Sequence, residues 1–147
     1  MISRVKGTQD FIDMSLFDHV LATTIKHLQS YNFSHVSTPI IEQLDLFVRS
    51  LGEQTDVVSK EMFIIQPRQD STDRICLRPE GTASLVRAYL ENNITQIPWN
   101  IFMYGPMFRY ERPQKGRFRQ FHQISIEMIG AADSAYDVLL MVMLDRL

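Results

Sequence analysis

The stretch GPMFRYERPQKGRFRQFHQISIEMIG, residues 105–130, consists of two apolar, strand-like segments joined by a strongly basic loop. The middle of this stretch holds five cations and one acid: Arg109, Glu111, Arg112, Lys115, Arg117 and Arg119. The net charge of the whole chain is only −2. The positive charge is therefore local, and it predicts a site for a specific anion rather than a general nucleic-acid coat.

Strand-like and helical segments lie on both sides of this hairpin. Besides a strand around Pro39, four segments have strand character: 61–66, 73–78, 100–111 and 118–130, with a polar loop at 67–73 between the first two. Three segments have helical periodicity: 14–30, 80–92 and 134–147. The strand around Pro39 should lie at an edge or an interface, because proline cannot donate to a ladder. This order of elements predicts an α+β fold in which helices flank an antiparallel sheet.

Two of the predicted helices carry an apolar stripe that should face a core. The stripe of the first helix consists of Leu16, Val20, Leu21, Ile25 and Leu28. Asp13 precedes this helix and is available as its N-cap. The stripe of the second helix consists of Ala83, Val86 and Leu90.

The composition is that of a globular protein, with 45% apolar and 22% charged residues in a chain of 147. The single cysteine, Cys76, excludes an intramolecular disulfide and a cysteine-rich zinc site, which favours a reducing cytosol. The N-terminus has no apolar signal core, and no apolar run approaches the roughly 20 residues of a membrane span. We therefore expect one soluble, cytoplasmic domain without a membrane partner.

Strand periodicity sorts the side chains of the hairpin into two faces. One face should carry Arg109, Glu111, Phe121, Gln123 and Glu127. Polar residues on a solvated sheet face are common and explain one or two of these positions. The combination of an anion binder, an aromatic ring and hydrogen-bonding acceptors instead favours a site for a phosphate, a flat heterocycle and a small ammonium-bearing molecule.

A second cluster, LRPEGTA at 77–83, places Glu80 at the start of a predicted helix. By itself this acid is best explained as a helix-terminus residue that contributes about 0.3–1 kcal/mol. The alternative is a carboxylate aimed at a substrate amine. The chain has no glycine-rich phosphate motif, so arginines would have to hold phosphate. Its histidines lack metal-ligand spacing, and for His122 a packed or surface position is favoured over catalysis.

Five segments, taken in order, resemble class II aminoacyl-tRNA synthetases, and the histidyl-tRNA synthetases in particular. They are KGTQD at 6–10, TPIIE at 38–42, GEQTDVVSKEMF at 52–63, LRPEGTA at 77–83 and GPMFRYERPQKGRFRQFHQ at 105–123. The TPIIE segment is similar to motif 1, which in the family builds a dimer interface around a proline, here Pro39. The hairpin resembles motif 2. The implied fold is an incomplete class II catalytic core, in which residues 1–147 form the N-terminal portion, without motif 3 or an anticodon-binding domain.

The resemblance also implies roles for the hairpin residues toward ATP and tRNA. Arg109 would be the catalytic residue that grips the α-phosphate and the amino-acid carboxylate. The remaining ATP-binding set is Glu111 at the adenine amino group, Phe121 stacked on the ring and Arg117 at the outer phosphates. The implied contacts to the tRNA acceptor end, which would account for the local positive charge, are Arg112, Lys115 and Arg119.

For histidine, the resemblance implies a second set of residues. The residues at the α-amino and carboxylate end are Glu80, Gly81, Thr82, Arg109 and Gln123. Glu127 matches the position that pairs with the imidazole. The implied activity is that of a histidine–tRNA ligase, which uses ATP with Mg²⁺ to form histidyl-adenylate and transfers histidine to the histidine tRNA.

The sequence stops inside an apolar helix, at VLLMVMLDRL. We therefore expect the chain to be a piece of a longer protein, inactive by itself and able to form a homodimer through the motif 1 region. Two alternatives stay open from the sequence. One is the synthetase-like regulatory subunit of ATP phosphoribosyltransferase, in which we expect the motif 2 loop to be eroded. The other is a stand-alone interaction fragment.

Overall fold

The computed structural model describes residues 2–66 and 72–147. Its helices are α1 (Ser15–Ser30), α2 (Leu44–Leu51), α3 (Thr82–Glu91) and α4 (Ala135–Asp145), with a π-helical turn at Val57–Glu61. Its strands are β1 (Ser34–His35), β2 (Ile41–Gln43), β3 (Phe63–Ile65), β4 (Ile75–Leu77), β5 (Trp99–Phe108) and β6 (Gln120–Ile129). They form two three-stranded sheets, in the orders β1-β5-β6 and β2-β4-β3. The predicted α+β class is confirmed.

The chain divides into two compact units. The first unit comprises Met1–Asp10, Ser37–Ile94 and Tyr104–Ser125. The second comprises Phe11–Val36, Thr95–Met103 and Ile126–Leu147.

The first unit is built on the sheet β2-β4-β3, in which β4 pairs antiparallel with both neighbours. Its buried core consists of Leu44, Phe47, Met62, Cys76 and Ala83. The predicted strand pair 61–66 and 73–78 is confirmed, and most of the loop between the two strands lies outside the described residues. The strand after Pro39 is an edge strand, as predicted.

Helix α2 and the π-helical turn that follows it were not predicted. Helix α2 begins directly after β2, at Leu44, so no turn residues separate the strand from the helix. Leu44 and Phe47, three residues apart, bury its apolar face. The helix ends at Leu51, and the following residue, Gly52, has a φ of +89°, which glycine adopts with less strain than other residues. At only two turns, the helix gives too short a pattern for periodicity to identify.

Helix α3 forms as predicted, but of its predicted apolar stripe only Ala83 is buried. Its buried residues are Ala83, Ser84 and Leu85. Val86 and Leu90 are exposed, the latter by 67%. The reason is that these two side chains line a groove of about 860 Å³ beside α2 rather than the core.

A buried ion pair joins β2 to α3. Glu42, the last residue of the TPIIE segment, is only 6% exposed. Its Oε1 accepts a hydrogen bond of 2.7 Å from Arg87 Nη2. This hydrogen bond raises the pKa of Arg87 and outweighs the opposing effect of burial.

The second unit contains α1, β1, the first half of β5, the end of β6 and α4. Strand β1 pairs in parallel with β5. His27 Nε2 in α1 lies 2.7 Å from the Met143 carbonyl oxygen in α4, within hydrogen-bonding distance. The Ser15 amide donates to Asp13 Oδ1 at 2.9 Å, which lowers the pKa of this carboxyl. The N-cap residue itself is Met14, so the prediction of Asp13 as the N-cap is wrong by one position.

The predicted stripe of α1 is only partly buried. Leu28 is fully buried, whereas Leu16 is 74% and Val20 52% exposed. The N-terminal half of the stripe therefore lies on the surface of the chain. Among the helices of the described residues, none has both the length and the apolar character to span a membrane.

Candidate functional site at the hairpin

Strand β5 ends three residues earlier than predicted. Only the Arg109 amide continues the pairing, with a 3.0 Å hydrogen bond to the Arg119 carbonyl oxygen. The next amide, that of Tyr110, donates at 2.7 Å to the Glu61 carbonyl oxygen instead. We call residues 109–111 and 119–121 the neck of the hairpin and residues 112–118 its tip. The neck therefore departs from regular pairing on one side.

The tip closes with a tight turn. Gln114 and Arg117 form an antiparallel bridge, in which the Arg117 amide donates to the Gln114 carbonyl oxygen at 2.9 Å. Lys115 and Gly116 are the two central residues. Gly116 has a φ of +79°, which explains the glycine at this position. The turn presents Lys115 at the outermost point of the hairpin.

Arg109 is anchored through one of its three nitrogens. Its Nε donates at 3.0 Å to the Pro79 carbonyl oxygen. Its guanidinium carbon lies 5.3 Å from the centre of the Phe121 ring, within the range of a cation–π contact. Its Nη1 is 4.0 Å from Glu111 Oε1, beyond hydrogen-bonding distance. The anchor at Nε leaves the Nη groups to meet a ligand.

Glu111 lies between two arginines. Its side chain is only 17% exposed, and its Oε2 lies 3.4 Å from Arg117 Nη1. Arg117 itself is 64% exposed, so this pair is weak and easily exchanged. The structure thus brings Arg109, Glu111 and Phe121 together on one side of the neck, as the strand pattern predicted.

The three residues assigned to tRNA, two arginines and one lysine, lie in two environments. Arg112 and Lys115 are exposed at the tip. Arg119 is half-buried in the neck, where its Nε donates to the Glu111 carbonyl oxygen at 3.3 Å and its Nη1 to the Lys6 carbonyl oxygen at 3.2 Å. The sequence pattern alone gave no basis for separating them.

Glu80 occupies the start of α3, as predicted. Its carboxylate accepts hydrogen bonds from the amides of Thr82 at 2.6 Å and Ala83 at 3.0 Å. Gly81 is the residue at the N-cap position. These bonds satisfy two of the amides that a helix start leaves without a partner, which is the structural role weighed for Glu80. A carboxylate has about four lone-pair directions, so it can still accept from a ligand amine.

Two further predicted residues lie on β6. Gln123, in the first unit, donates from Nε2 to Ser125 Oγ at 3.0 Å, and Ser125 is buried. Glu127 belongs to the second unit and is half-buried there. Pro39, assigned to a dimer interface, is exposed in the first unit.

Arg78, to which the sequence pattern assigned no role, supports the site from within the protein. Its side chain is only 3% exposed, and it donates from Nε to the Pro106 carbonyl oxygen and from Nη1 to the Thr38 carbonyl oxygen, at 3.1 and 2.9 Å. Burial lowers its pKa, although the charge of Glu42 acts in the opposite direction. A Cβ on Gly105 would lie 2.6 Å from Arg78 Nη2. That glycine, in a strand otherwise rich in large side chains, is the sequence signal for a close neighbour.

Arg78 also fixes the peptide that anchors Arg109. Its carbonyl oxygen accepts from the Phe108 amide at 3.0 Å, and the next residue, Pro79, is fully buried. The Pro79 carbonyl oxygen is therefore held by its surroundings before Arg109 binds it. No group of three or more potential metal ligands occurs within residues 2–66 and 72–147.

Comparison with known proteins identifies the family to which this arrangement belongs. Residues 62–144 match the tRNA synthetase class II core domain (G, H, P, S and T). The match covers more than half of the chain. The chain belongs to the class II tRNA synthetase core family. The matched region includes the LRPEGTA segment and the whole hairpin.

The resemblance to the histidine enzymes is confirmed by relatives within this family. The chain is 47% identical over 146 residues to a histidine–tRNA ligase of Thermodesulfovibrio yellowstonii, with 97% of this chain and 34% of that protein covered. It is 32% identical to a crystal structure of apo S. aureus histidyl-tRNA synthetase, with a TM-score of 0.77 and 99% and 34% coverage. The chain thus spans about a third of the length of these class II synthetases.

A second solved structure bears on the alternative function. A Bacillus halodurans protein described as an ATP phosphoribosyltransferase regulatory subunit/histidyl-tRNA synthetase has a TM-score of 0.79, with 99% of this chain and 37% of that chain covered. Its identity is only 16%, so this likeness shows the class II fold alone. The alternative is therefore less supported than the ligase.

Proposed function

We propose that this chain is the N-terminal portion of the catalytic domain of a histidine–tRNA ligase, carrying motifs 1 and 2. The ligase would activate histidine with ATP and transfer it to the histidine tRNA. The observation that carries the proposal is the neck, where Arg109 is anchored at the Pro79 carbonyl oxygen beside Glu111 and Phe121. The 47% identity to a histidine–tRNA ligase supports the choice of amino acid.

In the activation step, a carboxylate oxygen of histidine would attack the α-phosphorus of ATP. The new bond is the mixed anhydride of histidyl-adenylate, and the bond to the β-phosphate oxygen breaks to release pyrophosphate. Arg109 would donate from its Nη groups to the α-phosphate oxygens, where negative charge develops in the transition state. Since Nε is already bound to a protein carbonyl, the guanidinium needs little reorganisation to do so.

The adenine would stack on Phe121, with its amino group donating to Glu111. In the structure Glu111 Oε2 is occupied by Arg117 at 3.4 Å. ATP would therefore exchange one partner of Glu111 for another and release Arg117 toward the outer phosphates. Because the pair is largely exposed on the arginine side, this exchange costs little.

Histidine would be held at its two ends by different residues. Glu80, Gly81, Thr82 and Gln123 would surround the α-amino group, and Arg109 would also meet the carboxylate. Glu127 would accept a hydrogen bond from the imidazole. A polar group that is matched in this way discriminates strongly against amino acids that leave it without a partner.

Transfer of the histidyl group would occur at the terminal ribose of the tRNA. Arg112 and Lys115 at the exposed tip are suited to the phosphates of the acceptor end. Mg²⁺ would enter with the ATP phosphates, since the described residues offer no cluster that could bind it alone. The exposed Pro39 region would form a homodimer interface, and the ligase would work in the cytoplasm.

The test is exchange of labelled pyrophosphate into ATP by the full-length protein. We expect exchange that depends on histidine and on no other amino acid. The 147 residues alone span about a third of comparable ligases, so they should give negligible exchange. Absence of exchange in the full-length protein, together with stimulation of an ATP phosphoribosyltransferase by the same preparation, would support the regulatory-subunit alternative instead.

A further inference from the structure

The segment before Asp10 lies against the neck of the hairpin and is held there by Arg119. The Arg119 amide donates to the Gly7 carbonyl oxygen at 2.7 Å, and Arg119 Nη1 donates to the Lys6 carbonyl oxygen at 3.2 Å. Thr8 closes this segment into a turn, since its amide and its hydroxyl both donate to the Val5 carbonyl oxygen. A short local turn is thus tied to a residue more than a hundred positions away.

Glycine is required at the point of contact. Gly7 has a φ of +88°, and a Cβ there would lie 2.8 Å from Arg119 Cγ and 3.0 Å from Pro113 Cγ. Real Cβ atoms do not approach carbon atoms as closely as 2.8 Å, so with any other residue the turn or the Arg119 side chain would have to move. The backbone conformation and the close packing therefore both depend on Gly7.

Arg119 also contacts each residue of the facing segment of the neck, Arg109, Tyr110 and Glu111. Its Nε donates to the Glu111 carbonyl oxygen at 3.3 Å, and its guanidinium carbon lies 3.8 Å from the centre of the Tyr110 ring. Its own carbonyl oxygen accepts from the Arg109 amide at 3.0 Å. Arg119 is thus bonded to the backbone of the two residues that the proposed function places at the α-phosphate and the adenine.

We propose that Gly7 and Arg119 form a positioning clamp for the activation step. The inference rests on the proposed function and replaces the tRNA contact that the family resemblance implies for Arg119. The guanidinium of Arg119 acts inside the protein, where it orients Arg109 and Glu111, rather than at the tRNA. Its loss should therefore lower the rate of adenylate formation and leave the affinity for tRNA unchanged. Lysine should replace it poorly, because a single ammonium cannot supply two fixed donors and a planar face for Tyr110.

The first experiment measures hydrogen exchange of the Arg119 amide in the 147-residue chain, which needs no activity. The variant is Gly7→Ala and the matched control is Gly52→Ala. Gly52 has a φ of +89°, like Gly7, but a Cβ there meets nothing within 4 Å. Both variants place an alanine at nearly the same positive φ, and only Gly7→Ala adds the clash. We expect faster exchange at Arg119 in Gly7→Ala alone. Equal exchange in the two variants would overturn the clamp.

The second experiment uses the full-length protein and compares Gly7→Ala, Arg119→Lys and Gly52→Ala. Displacement of a catalytic group by about 1 Å can cost on the order of 10²-fold, so we expect Gly7→Ala and Arg119→Lys to lower kcat of pyrophosphate exchange by roughly 10- to 100-fold. The dissociation constant for tRNA should stay within about twofold of the unmodified protein. Gly52→Ala should leave both unchanged.

The outcomes separate the clamp from the proposed function. If Arg119→Lys weakened tRNA binding and left pyrophosphate exchange unchanged, Arg119 would be a tRNA contact and the clamp would be wrong. If the unmodified full-length protein showed no histidine-dependent exchange, the proposed function would fail, whereas the Arg119 amide measurement would still decide whether the clamp exists. If Gly7→Ala failed to fold, Arg119→Lys would supply the same comparison.

Discussion

The neck and the tip of one hairpin use the same kinds of side chain in opposite ways. In the neck, Arg109 and Arg119 are half-buried and donate to backbone carbonyl oxygens. In the tip, Arg112, Lys115 and Arg117 are exposed, and of these Arg117 pairs weakly with Glu111. A cation that is bonded to the protein has a fixed position, while an exposed cation keeps its donors for a partner. The comparison supports the proposal that the neck positions the groups that act on ATP and that the tip attracts the tRNA.

The two environments should also respond differently to salt. Exposed charges are screened within about 8–10 Å at physiological ionic strength, whereas half-buried hydrogen-bonded groups are screened much less. Changes at the tip should therefore depend on salt, and changes at the neck should not. The following predictions test this division, from the largest expected effect to the smallest.

The largest effect is expected for Arg109→Ala in the full-length protein. Loss of a donor to developing charge should lower the rate of adenylate formation on the order of 10²–10³-fold. Arg109→Lys should recover little of it, because an ammonium lacks the planar fork. Single-turnover kinetics measures the rate, and Arg112→Ala is the control from the tip. An equal loss in Arg112→Ala would break the comparison.

The next effect concerns stability and the buried arginine beneath the neck. Arg78→Met removes the guanidinium and leaves the carbonyl oxygens of Thr38 and Pro106 without their donor. The free energy of unfolding should fall by about 2–4 kcal/mol in urea titrations. Arg74→Met is the matched control, since Arg74 pairs with Asp45 on the surface and should contribute about 0–1 kcal/mol. Similar losses in both variants would mean that the Arg78 bonds add nothing beyond a surface pair.

The third effect concerns tRNA binding by the tip and its dependence on salt. Each of the variants Arg112→Gln and Lys115→Gln should weaken tRNA binding by about the same factor whatever the sequence of the tRNA. Each should also reduce the slope of log K against log salt by the amount that corresponds to about one phosphate contact. Binding measured at several salt concentrations gives the slope. Arg119→Lys, from the neck, should leave the slope unchanged. A slope that shifted only in the neck variant would reverse the assignments.

The smallest effect concerns the Cys76 thiol, which is buried in the core of the first unit. Burial raises the pKa of the Cys76 thiol from its ordinary value of 9.0 to about 12. Above pH 9 the unfolded thiol ionises and the folded thiol does not, so the unfolded state binds fewer protons and stability falls with rising pH. The loss should reach about 1.4 kcal/mol near pH 10 and be absent below about pH 8. Cys76→Ala should remove this dependence, and a dependence that remained would point to other groups.

The hairpin and the strand pair could be predicted because alternation and apolar runs are local signals. Helix α2 could not, since it begins where β2 ends and no turn residue marks the change. The predicted stripe of α3 was wrong at Val86 and Leu90, because these two side chains line a groove rather than the core. A helix pattern shows which residues are apolar, and only packing decides which of them are covered.

The candidate site shows the same limit. The grouping of Arg109, Glu111 and Phe121 followed from strand periodicity and is confirmed. The support from Arg78, and the contact between Gly7 and Arg119, join residues that are far apart in the sequence. A local sequence pattern cannot contain such pairs. The sequence signals for them were Gly105 and Gly7, the glycines at the two points of close approach.

The most direct test of the division between neck and tip measures two activities on one preparation of the full-length protein. Histidine-dependent pyrophosphate exchange reports activation alone, and charging at limiting tRNA reports activation together with tRNA binding. We expect Arg109→Lys to lower both activities, whereas the double variant Arg112→Gln/Lys115→Gln should lower charging and leave exchange unchanged. A tip variant that lowered exchange as much as Arg109→Lys would contradict the account.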